Sequence, residues 1–263
     1  MVDFQYKEKY DINDYRAIMV LLRGEGGCPW DAAQTHESIR RNMLEEAYEA
    51  VAAIDKHDMP NLCEELGDLQ MQILFHAGME EEKGGFTFDD VCDEACKKLI
   101  HRHPHVFGTT VVNGTQDVLK NWDAIKRGEK GQSTVSKAMD DVAETLPALW
   151  RAEKIQKKAR KTGFDWPDWH GARDKILEEI GELEEAVASG SGVAEEMGDV
   201  LAAAVNLARL LDVDPEQALH GSCDRFVERF RFMEQEAARR GQALESLSLD
   251  EQEELWQLAK KNS

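Results

Sequence analysis

The sequence contains no apolar run approaching the roughly 20 residues that a membrane-spanning helix needs. Its first residues, MVDFQYKEKYD, carry charged side chains where a secretion signal would need an apolar segment. We therefore expect a cytoplasmic protein with no membrane partner.

Cysteine is scarce, with five residues and no pair at the two-residue spacing typical of zinc and redox motifs. An odd number of scattered cysteines is typical of free thiols in a reducing compartment. Cys92 and Cys96 are four positions apart, and this spacing does not favour a metal site.

Basic residues are also in deficit, because 32 Lys and Arg face 52 Asp and Glu, giving a net charge of −20. Such a chain repels polyanions, so we exclude a broad nucleic-acid-binding surface and allow only local basic pockets. The hydrophobic content of 42% is enough for a packed core. A length of 263 residues fits one large domain or two smaller ones.

Strand-like alternation is nearly absent, and TTVVNG at 109–114 is the one short stretch that could form a strand. Apolar residues recur instead at helical spacing, which predicts an all-α protein. The predicted helices are 12–23, 36–57, 61–82, 88–101, 117–127, 137–161, 172–188, 193–211, 215–240 and 249–261.

The two halves of the chain repeat each other. The first half contains, in order, CPWD, MLEEAYEAV, EELGDLQ, CKKLIHR and WDAIK. The second half contains the similar segments GFDW, ILEEIGELEEAV, EEMGDVL, CDRFVER and WQLAK in the same order. Five elements in one order indicate a duplicated helical unit. We predict two tandem helical-bundle domains, 1–130 and 131–263, with the polar segment 127–136 as the linker.

Carboxylates interrupt the apolar stripe of each repeat. Glu46 shares a helical face with Met43 and Ala50, and Glu179 shares one with Ile176 and Leu183. Each half reads E-E-x-x-E and then E-x-x-D, which in the first half is Glu45, Glu46, Glu49, Glu65 and Asp68, and in the second Glu178, Glu179, Glu182, Glu196 and Asp199. Short loops between the two helices would bring the four inward carboxylates together.

Like charges that converge repel one another and are costly to bury, and a divalent cation relieves both costs. Ligation by oxygen alone favours Mg²⁺, or Mn²⁺ in its place, over zinc. A solvated acidic face is the alternative for either motif alone, but the full pattern occurs twice, which argues against it.

Basic and aromatic residues recur at matched positions as well. The matched residues are Lys98, Arg102, Trp122 and Lys126 in the first half and Arg225, Arg229, Trp256 and Lys260 in the second. Cations stabilise charge on a polyphosphate, and a tryptophan can stack on a base. The alternatives are surface ion pairs with acids such as Glu228, and tryptophans that belong to the core or to a dimer interface.

The carboxylate pattern resembles the metal-binding signature of the all-α nucleoside triphosphate pyrophosphohydrolases. GGCPWDAAQTHESI, HRHPHVFG and LPALWRAEKIQKKA resemble the tandem-domain MazG family in particular. This resemblance implies Mg²⁺-dependent hydrolysis of nucleoside triphosphates to monophosphate and pyrophosphate, in a helical homodimer. It also implies nucleotide contact by Arg225, Arg229, Trp256 and Lys260, with Lys98, Arg102, Trp122 and Lys126 as their first-repeat equivalents.

The family's better attested catalytic unit is the second repeat. The resemblance places metal ligands at Glu179, Glu182, Glu196 and Asp199, with Glu46, Glu49, Glu65 and Asp68 as their first-repeat equivalents. The segment between E-x-x-E and E-x-x-D has 13 residues in the second half and 15 in the first, so the geometry of the two could differ.

For the reaction itself, our hypothesis makes Glu179 central to catalysis and gives the neighbouring Glu178 the task of positioning the attacking water. A di-iron carboxylate oxidoreductase is the first rival, but it needs Glu-x-x-His on two helices, and here Asp68 and Asp199 stand where histidine would. A non-catalytic, metal-binding regulatory protein is the second.

Overall fold

The computed structural model describes residues 4–129 and 134–262. Within them the regular structure consists of thirteen α-helices and two short 3₁₀ helices. The predicted all-α class is confirmed. TTVVNG lies in an irregular segment, and no described residue forms a strand. None of the described helices has the length and apolarity needed to cross a membrane.

The chain divides into two compact units, residues 1–125 and 126–263. The division falls inside a helix and five residues before the boundary that we predicted at 130. Part of the predicted linker 127–136 is helical instead. Residues 127–129 are the end of one helix, and Thr134 caps the next. Residues 130–133 lie outside the described part of the chain.

The first unit is built from a helical hairpin and the helices around it. Its helices are α1 (Ile12–Arg23), α2 (Pro29–Ala32), α3 (His36–Asp55), α4 (Met59–Glu81), α5 (Phe88–Arg102), α6 (Pro104–Phe107) and α7 (Thr115–Glu129), which runs past the division. α3 packs along α4, and α1 and α5 also contact α4. A core of Met19, Ile39, Leu74, Phe75 and Met79 joins α1, α3 and α4.

The second unit repeats the hairpin. Its helices are α8 (Val135–Asp140), α9 (Ala148–Ala159), α10 (Trp169–Ser189), α11 (Val193–Leu210), α12 (Pro215–Arg239) and α13 (Leu249–Asn262), with 3₁₀ turns at Arg160–Thr162 and Leu244–Ser246. α10 packs along α11, α9 contacts α11, and α12 packs on α13. Met233, Ala237, Leu244 and Leu255 form a core between the last two helices.

One predicted helix is wrong. The segment 137–161 is broken between α8 and α9 at residues 141–147. Pro147 is the reason: it has no N–H to donate, it restricts the residue before it to extended backbone, and it stands at the N-cap of α9.

The turns of the two hairpins have the same length but different chemistry. Residues 56–58 join α3 to α4, and residues 190–192 join α10 to α11. In the second turn Gly190 and Gly192 adopt left-handed backbone, with φ of 75° and 80°, where a side chain would be strained. The first turn reaches the same region with His57 at φ 55° and lets Asp58 cap α4.

Candidate metal and nucleotide sites

A cluster of three carboxylates lies on the first hairpin. Glu46 and Glu49 come from α3 and Glu65 from α4, and one oxygen of each lies within 4.8 Å of the others. Burial first, then the charges of Asp68 and Glu49, raises the pKa of Glu46 above its usual value. Asp68 lies outside the group of three, but its charge still acts on Glu46 and Glu65.

The second hairpin carries the matching cluster. Glu179 of α10 meets Glu196 and Asp199 of α11, again with one oxygen each within 4.8 Å of the others. Glu179 is only 6% exposed, which is unusual for a carboxylate. Glu182 lies outside the group of three, but the charge of Glu179 and a hydrogen bond with it raise the pKa of Glu182.

The structure therefore brings together three of the four expected ligands in each repeat and sets the fourth beside them. The missing member differs, being Asp68 in the first repeat and Glu182 in the second. The donor set in both clusters is oxygen only, held at short mutual distances with an excess of negative charge. These are properties that suit a hard divalent cation.

The positions of the helix starts explain why the segment between E-x-x-E and E-x-x-D differs in length between the two repeats. The two connecting turns are equally long, but α4 begins six residues before Glu65, whereas α11 begins three residues before Glu196. Glu196 consequently lies in the first turn of its helix, where the positive end of the helix dipole stabilises a carboxylate. Glu65 lies a turn deeper, and burial followed by the charge of Glu49 raises its pKa.

Lys175 is a member of the second cluster that the sequence analysis missed. Its Nζ lies 2.7 Å from Oε1 of Glu179 and 2.7 Å from Oε1 of Glu178. These hydrogen bonds raise the pKa of Lys175. The signal was present in the sequence, because residues three and four apart on a helix are neighbours. Four residues before Glu46 the first repeat has Asn42, so this cation is specific to the second cluster.

Glu178, the residue expected to position water, is exposed and bound by Lys175. It sits next to the cluster along α10 but outside the three oxygens that meet. The position of the Glu178 carboxylate is therefore tied to that of Lys175.

The aromatic and basic candidates of the second repeat also meet. The guanidinium carbon of Arg229 lies 5.8 Å from the ring centre of Trp256, and Nζ of Lys260 lies 6.0 Å from it. Phe226 contacts the same indole at 5.0 Å between ring centres. Trp256 is half-buried against the core of α12 and α13, so it packs on the core and keeps part of its surface accessible. Arg225 is exposed one turn earlier on α12.

The first repeat has a partial counterpart. Arg102 places its guanidinium carbon 5.7 Å from the ring centre of Trp122, and His103 makes an edge contact with that ring at 4.8 Å. Lys98 is exposed on α5. Lys126 follows Trp122 by one turn of α7, just beyond the division between the units.

In each repeat, carboxylates and basic residues lie on two helices that contact each other. α12, with Arg225 and Arg229, contacts α11, which carries Glu196 and Asp199. α5, with Lys98 and Arg102, likewise contacts α4. Each repeat thus has an anionic cluster on its hairpin and basic residues on a helix that contacts the hairpin.

A family model describing the MazG nucleotide pyrophosphohydrolase domain matches residues 34–107 and 170–231. The match falls in two segments, one in each unit, and each segment contains one carboxylate cluster. Two similar proteins are named for this activity. The nucleoside triphosphate pyrophosphohydrolase of Escherichia coli (strain K12) is 43% identical over 249 residues, covering 93% of this chain and 95% of that protein.

The nucleoside triphosphate pyrophosphohydrolase/pyrophosphatase MazG of Thermotoga maritima is 43% identical over 244 residues, covering 93% of each chain. The uncharacterized protein YabN of Bacillus subtilis is 43% identical over 95% of this chain, but the match covers only 52% of that protein. The chain belongs to the MazG nucleotide pyrophosphohydrolase family.

Proposed function

We propose that this protein hydrolyses nucleoside triphosphates to nucleoside monophosphates and pyrophosphate. The observation that carries the proposal is the buried Glu179, which has an oxygen within 4.8 Å of oxygens of Glu196 and Asp199, on a hairpin that α12 contacts. α12 carries Arg225 and Arg229, and Arg229 and Lys260 lie against the ring of Trp256. Family membership and the names of two relatives that match over more than 90% of their length support the same activity.

The residues that would hold a divalent cation are Glu179, Glu196 and Asp199, with Glu182 beside them, and Glu46, Glu49, Glu65 and Asp68 in the first repeat. Mg²⁺, or Mn²⁺ in its place, would offset the carboxylate charge and polarise the phosphoryl oxygens when bound.

The chain's own side chains do the rest. Arg225, Arg229 and Lys260 would bind the phosphates and stabilise the charge that develops on the leaving pyrophosphate. Glu178 would orient the water for attack at the α-phosphorus, with Lys175 fixing the positions of Glu178 and Glu179.

We also propose a broad range of bases. Trp256 offers a ring surface, and stacking on a ring depends little on which base is present. A cytoplasmic enzyme of this kind would remove unwanted nucleotides from the pool.

A homodimer fits the surface of the hairpins. Leu44, Tyr48, Val51 and Ile54 on α3 and Leu177, Ile180 and Val187 on α10 are exposed apolar residues at helical spacing. Contiguous apolar stripes of this kind are typical of surfaces that a partner covers, and a second copy of the chain is the partner that we propose.

The test is a product analysis. Purified protein is incubated with each nucleoside triphosphate and Mg²⁺, and the products are separated by ion exchange. We expect monophosphate and pyrophosphate, with loss of activity in EDTA and recovery on adding Mg²⁺ or Mn²⁺. Diphosphate and orthophosphate as the products would contradict the proposal.

A non-catalytic, regulatory role remains the second candidate for the first repeat alone. Asn42 replaces the cation that Lys175 supplies to the second cluster, so the two clusters are not chemically equivalent. Metal binding by the first repeat without turnover would support this assignment.

A further inference from the structure

A chain of hydrogen-bonded side chains joins the two helices of the first hairpin, at the end away from the turn between them. Nδ1 of His36, at the start of α3, lies 2.7 Å from Nδ1 of His76 on α4. Nε2 of the same His36 ring lies 2.7 Å from Oε1 of Glu80, which also accepts a hydrogen bond from Lys83 at 3.0 Å. One imidazole therefore ties the first turn of α3 to α4 twice.

The two imidazole rings lie end to end. Their planes differ by 5° and their centres are 5.0 Å apart, while the facing nitrogens are 2.7 Å apart. Ring centres can be that far apart at this nitrogen separation only when both nitrogens lie on the line that joins the centres. The rings are therefore close to coplanar, and the N–H···N hydrogen bond is close to linear. Such a gap holds one proton, because a second would set two N–H groups head to head.

The protons that this pair can hold follow from its partners. Each ring nitrogen is a donor or an acceptor, and an ionised Glu80 requires an N–H at Nε2 of His36. With both rings neutral, the proton between them then belongs to His76. A further proton can be added only at Nε2 of His76, which is shielded from solvent and has no hydrogen-bond partner within the described chain. The folded pair thus takes up at most one extra proton, whereas two histidines in water take up two.

The charges on α3 and α4 leave the histidines as the groups that titrate in mild acid. Burial first, and then the charge of His36, lowers the pKa of His76. Hydrogen bonds from His36 and then Lys83 lower the pKa of Glu80, so this carboxylate stays ionised. Glu37, the neighbour of His36 on α3, has its pKa lowered first by its own backbone N–H and in smaller part by the charge of His36.

The charged groups that α1 and α5 bring to this part of the unit are bound elsewhere. Arg16 of α1 pairs with Asp89 of α5 at 2.7 Å, and Arg23 of α1 pairs with Glu82 at 2.7 Å. Arg40, one turn after His36 on α3, is exposed. A second positive charge on the histidine pair would therefore be offset by Glu80 and Glu37 alone among the carboxylates named here.

The second repeat builds the same hairpin without this chain. Counted from the matching glutamates, the residues aligned with His36, Gln72, His76 and Glu80 are Trp169, Ala203, Leu207 and Leu211. Oε1 of Gln72, one turn before His76, is a second shielded atom without a partner in the described structure. Shielded polar atoms without partners cost stability, and the second repeat shows that a helical hairpin with a carboxylate cluster does not require them. The chain is therefore a feature specific to the first unit.

We propose that His36 and His76 form a pH-sensitive latch, which holds the first turn of α3 against α4 at neutral pH and opens in mild acid. Opening separates the rings, exposes Nε2 of His76 to water and lets each ring bind its own proton. Because the closed form binds fewer protons than the open form, the latch stabilises the hairpin above the usual histidine pKa of about 6.5, and this contribution is lost as the pH falls below it. Opening would loosen the helix that carries Glu46 and Glu49 and would leave the second repeat closed.

Hydrogen exchange of the full chain in EDTA measures the latch, and no turnover is needed. Peptides covering 39–46 of α3 and 172–179 of α10 are compared by mass spectrometry between about pH 8 and pH 5, with labelling times scaled to the intrinsic exchange rate. The open form binds at least one more proton in acid, so protection of 39–46 should fall at least about tenfold per pH unit below about pH 6. Protection of 172–179 should change little. Glu46 cannot cause the loss, since a carboxyl with a raised pKa stabilises the fold as the pH falls.

Two variants of one residue locate the effect. His76→Leu introduces the residue of the second repeat, and His76→Gln keeps a group that can hydrogen-bond to His36 but does not titrate, so the test stands if either variant fails to fold. Both should remove most of the pH dependence, because a lone imidazole beside Glu80 can take up its proton in the closed form. His57→Asn removes an exposed histidine of the same unit, tolerates its left-handed backbone and should leave the pH dependence unchanged. The inference is overturned by constant protection of 39–46, by an equal loss in 172–179, or by a pH dependence that survives in the His76 variants.

Discussion

At the scale of single residues, Glu179 is the side chain on which the proposed chemistry depends. It is buried, it shares its surroundings with two other carboxylates, and Lys175 offsets part of its charge. Glu46 occupies the same place in the first repeat without that cation. The two glutamates therefore give a matched pair for mutagenesis.

We expect Glu179→Gln to lower kcat by about 100-fold or more, because the amide removes both a ligand oxygen and its charge. Glu46→Gln, the same change in the first repeat, should leave most of the turnover. Steady-state release of pyrophosphate from each nucleoside triphosphate measures both variants. Full turnover by the Glu179 variant would show that the second cluster is not the working one.

The raised pKa of Glu46 predicts a pH dependence of stability. A carboxyl whose pKa is higher in the folded than in the unfolded protein stabilises the fold below its usual value of 4.5, and this contribution is lost as the pH rises through the raised pKa. Glu46→Gln should therefore raise the unfolding temperature of metal-free protein at pH 7 and reduce its decline above pH 4.5.

Thermal denaturation in EDTA across this pH range measures the effect. Glu45→Gln is the control, since it removes the same charge from the exposed neighbour. Equal shifts in the two variants would mean that the environment of Glu46 is not responsible.

Trp256 gives a third expectation at this scale. Trp256→Ala should raise KM by about 5- to 100-fold, similarly for every base, because stacking is worth about 1–3 kcal/mol and depends little on base identity. Trp256→Phe, which keeps an aromatic ring, should lose less. Trp122→Ala is the matched change in the first repeat. An effect confined to kcat, or to one base, would argue for a structural tryptophan.

At the scale of secondary structure, the turn between α10 and α11 sets the register of the second cluster. Gly192 precedes α11 with φ 80°, and no atom lies within 4 Å of a Cβ built there. Gly192→Ala should thus lower the free energy of unfolding by about 1–2 kcal/mol through backbone strain alone. Urea denaturation followed by circular dichroism measures it.

The turn of the first hairpin allows the reverse substitution, from a residue with a side chain to glycine. His57 already occupies left-handed backbone at φ 55°, so His57→Gly relieves strain and should cost far less than the alanine variant, or nothing. If both variants destabilise equally, the turns are not acting through backbone conformation.

The two repeats also differ in where the second helix of the hairpin begins relative to its glutamate. Glu196 lies in the first turn of α11, whereas Glu65 lies deeper in α4. The same E-x-x-D motif is therefore placed in different electrostatic surroundings. Together with Lys175, this difference supports our assignment of catalysis to the second repeat.

At the scale of the whole molecule, the exposed apolar stripes predict self-association. Light scattering coupled to gel filtration should give twice the chain mass of 29.7 kDa. Leu177→Glu combined with Val187→Glu places charges on the exposed apolar stripe of α10 and should shift the mass to that of one chain. Leu249→Glu, at an exposed apolar position on α13, is the control. A single-chain mass for the unmodified protein would contradict the dimer.

Several features of the fold could be predicted from local sequence. The helices α3, α4, α10 and α11 follow apolar periodicity, and the inward glutamates follow the three-residue spacing on one helical face. Pro147 indicated a break between α8 and α9, but the apolar periodicity on both sides of it favoured one continuous helix. Lys175 was missed, although its spacing to Glu178 and Glu179 was visible.

Other features could not be predicted because they depend on how two helices are offset. Whether Asp68 or Glu49 completes the first cluster is a matter of the relative translation of α3 and α4. The ion pair between Asp165 and Arg209 joins residues 44 positions apart. Neither distance is encoded in a local pattern.

The sequence by itself determined the helical class, the duplication and the inward carboxylates, because periodicity and short spacings act within one helix. The tertiary structure decided which three oxygens meet in each repeat, and it placed His36 end to end with His76. Both results arise from packing between helices, where small shifts along the axes change which side chains touch.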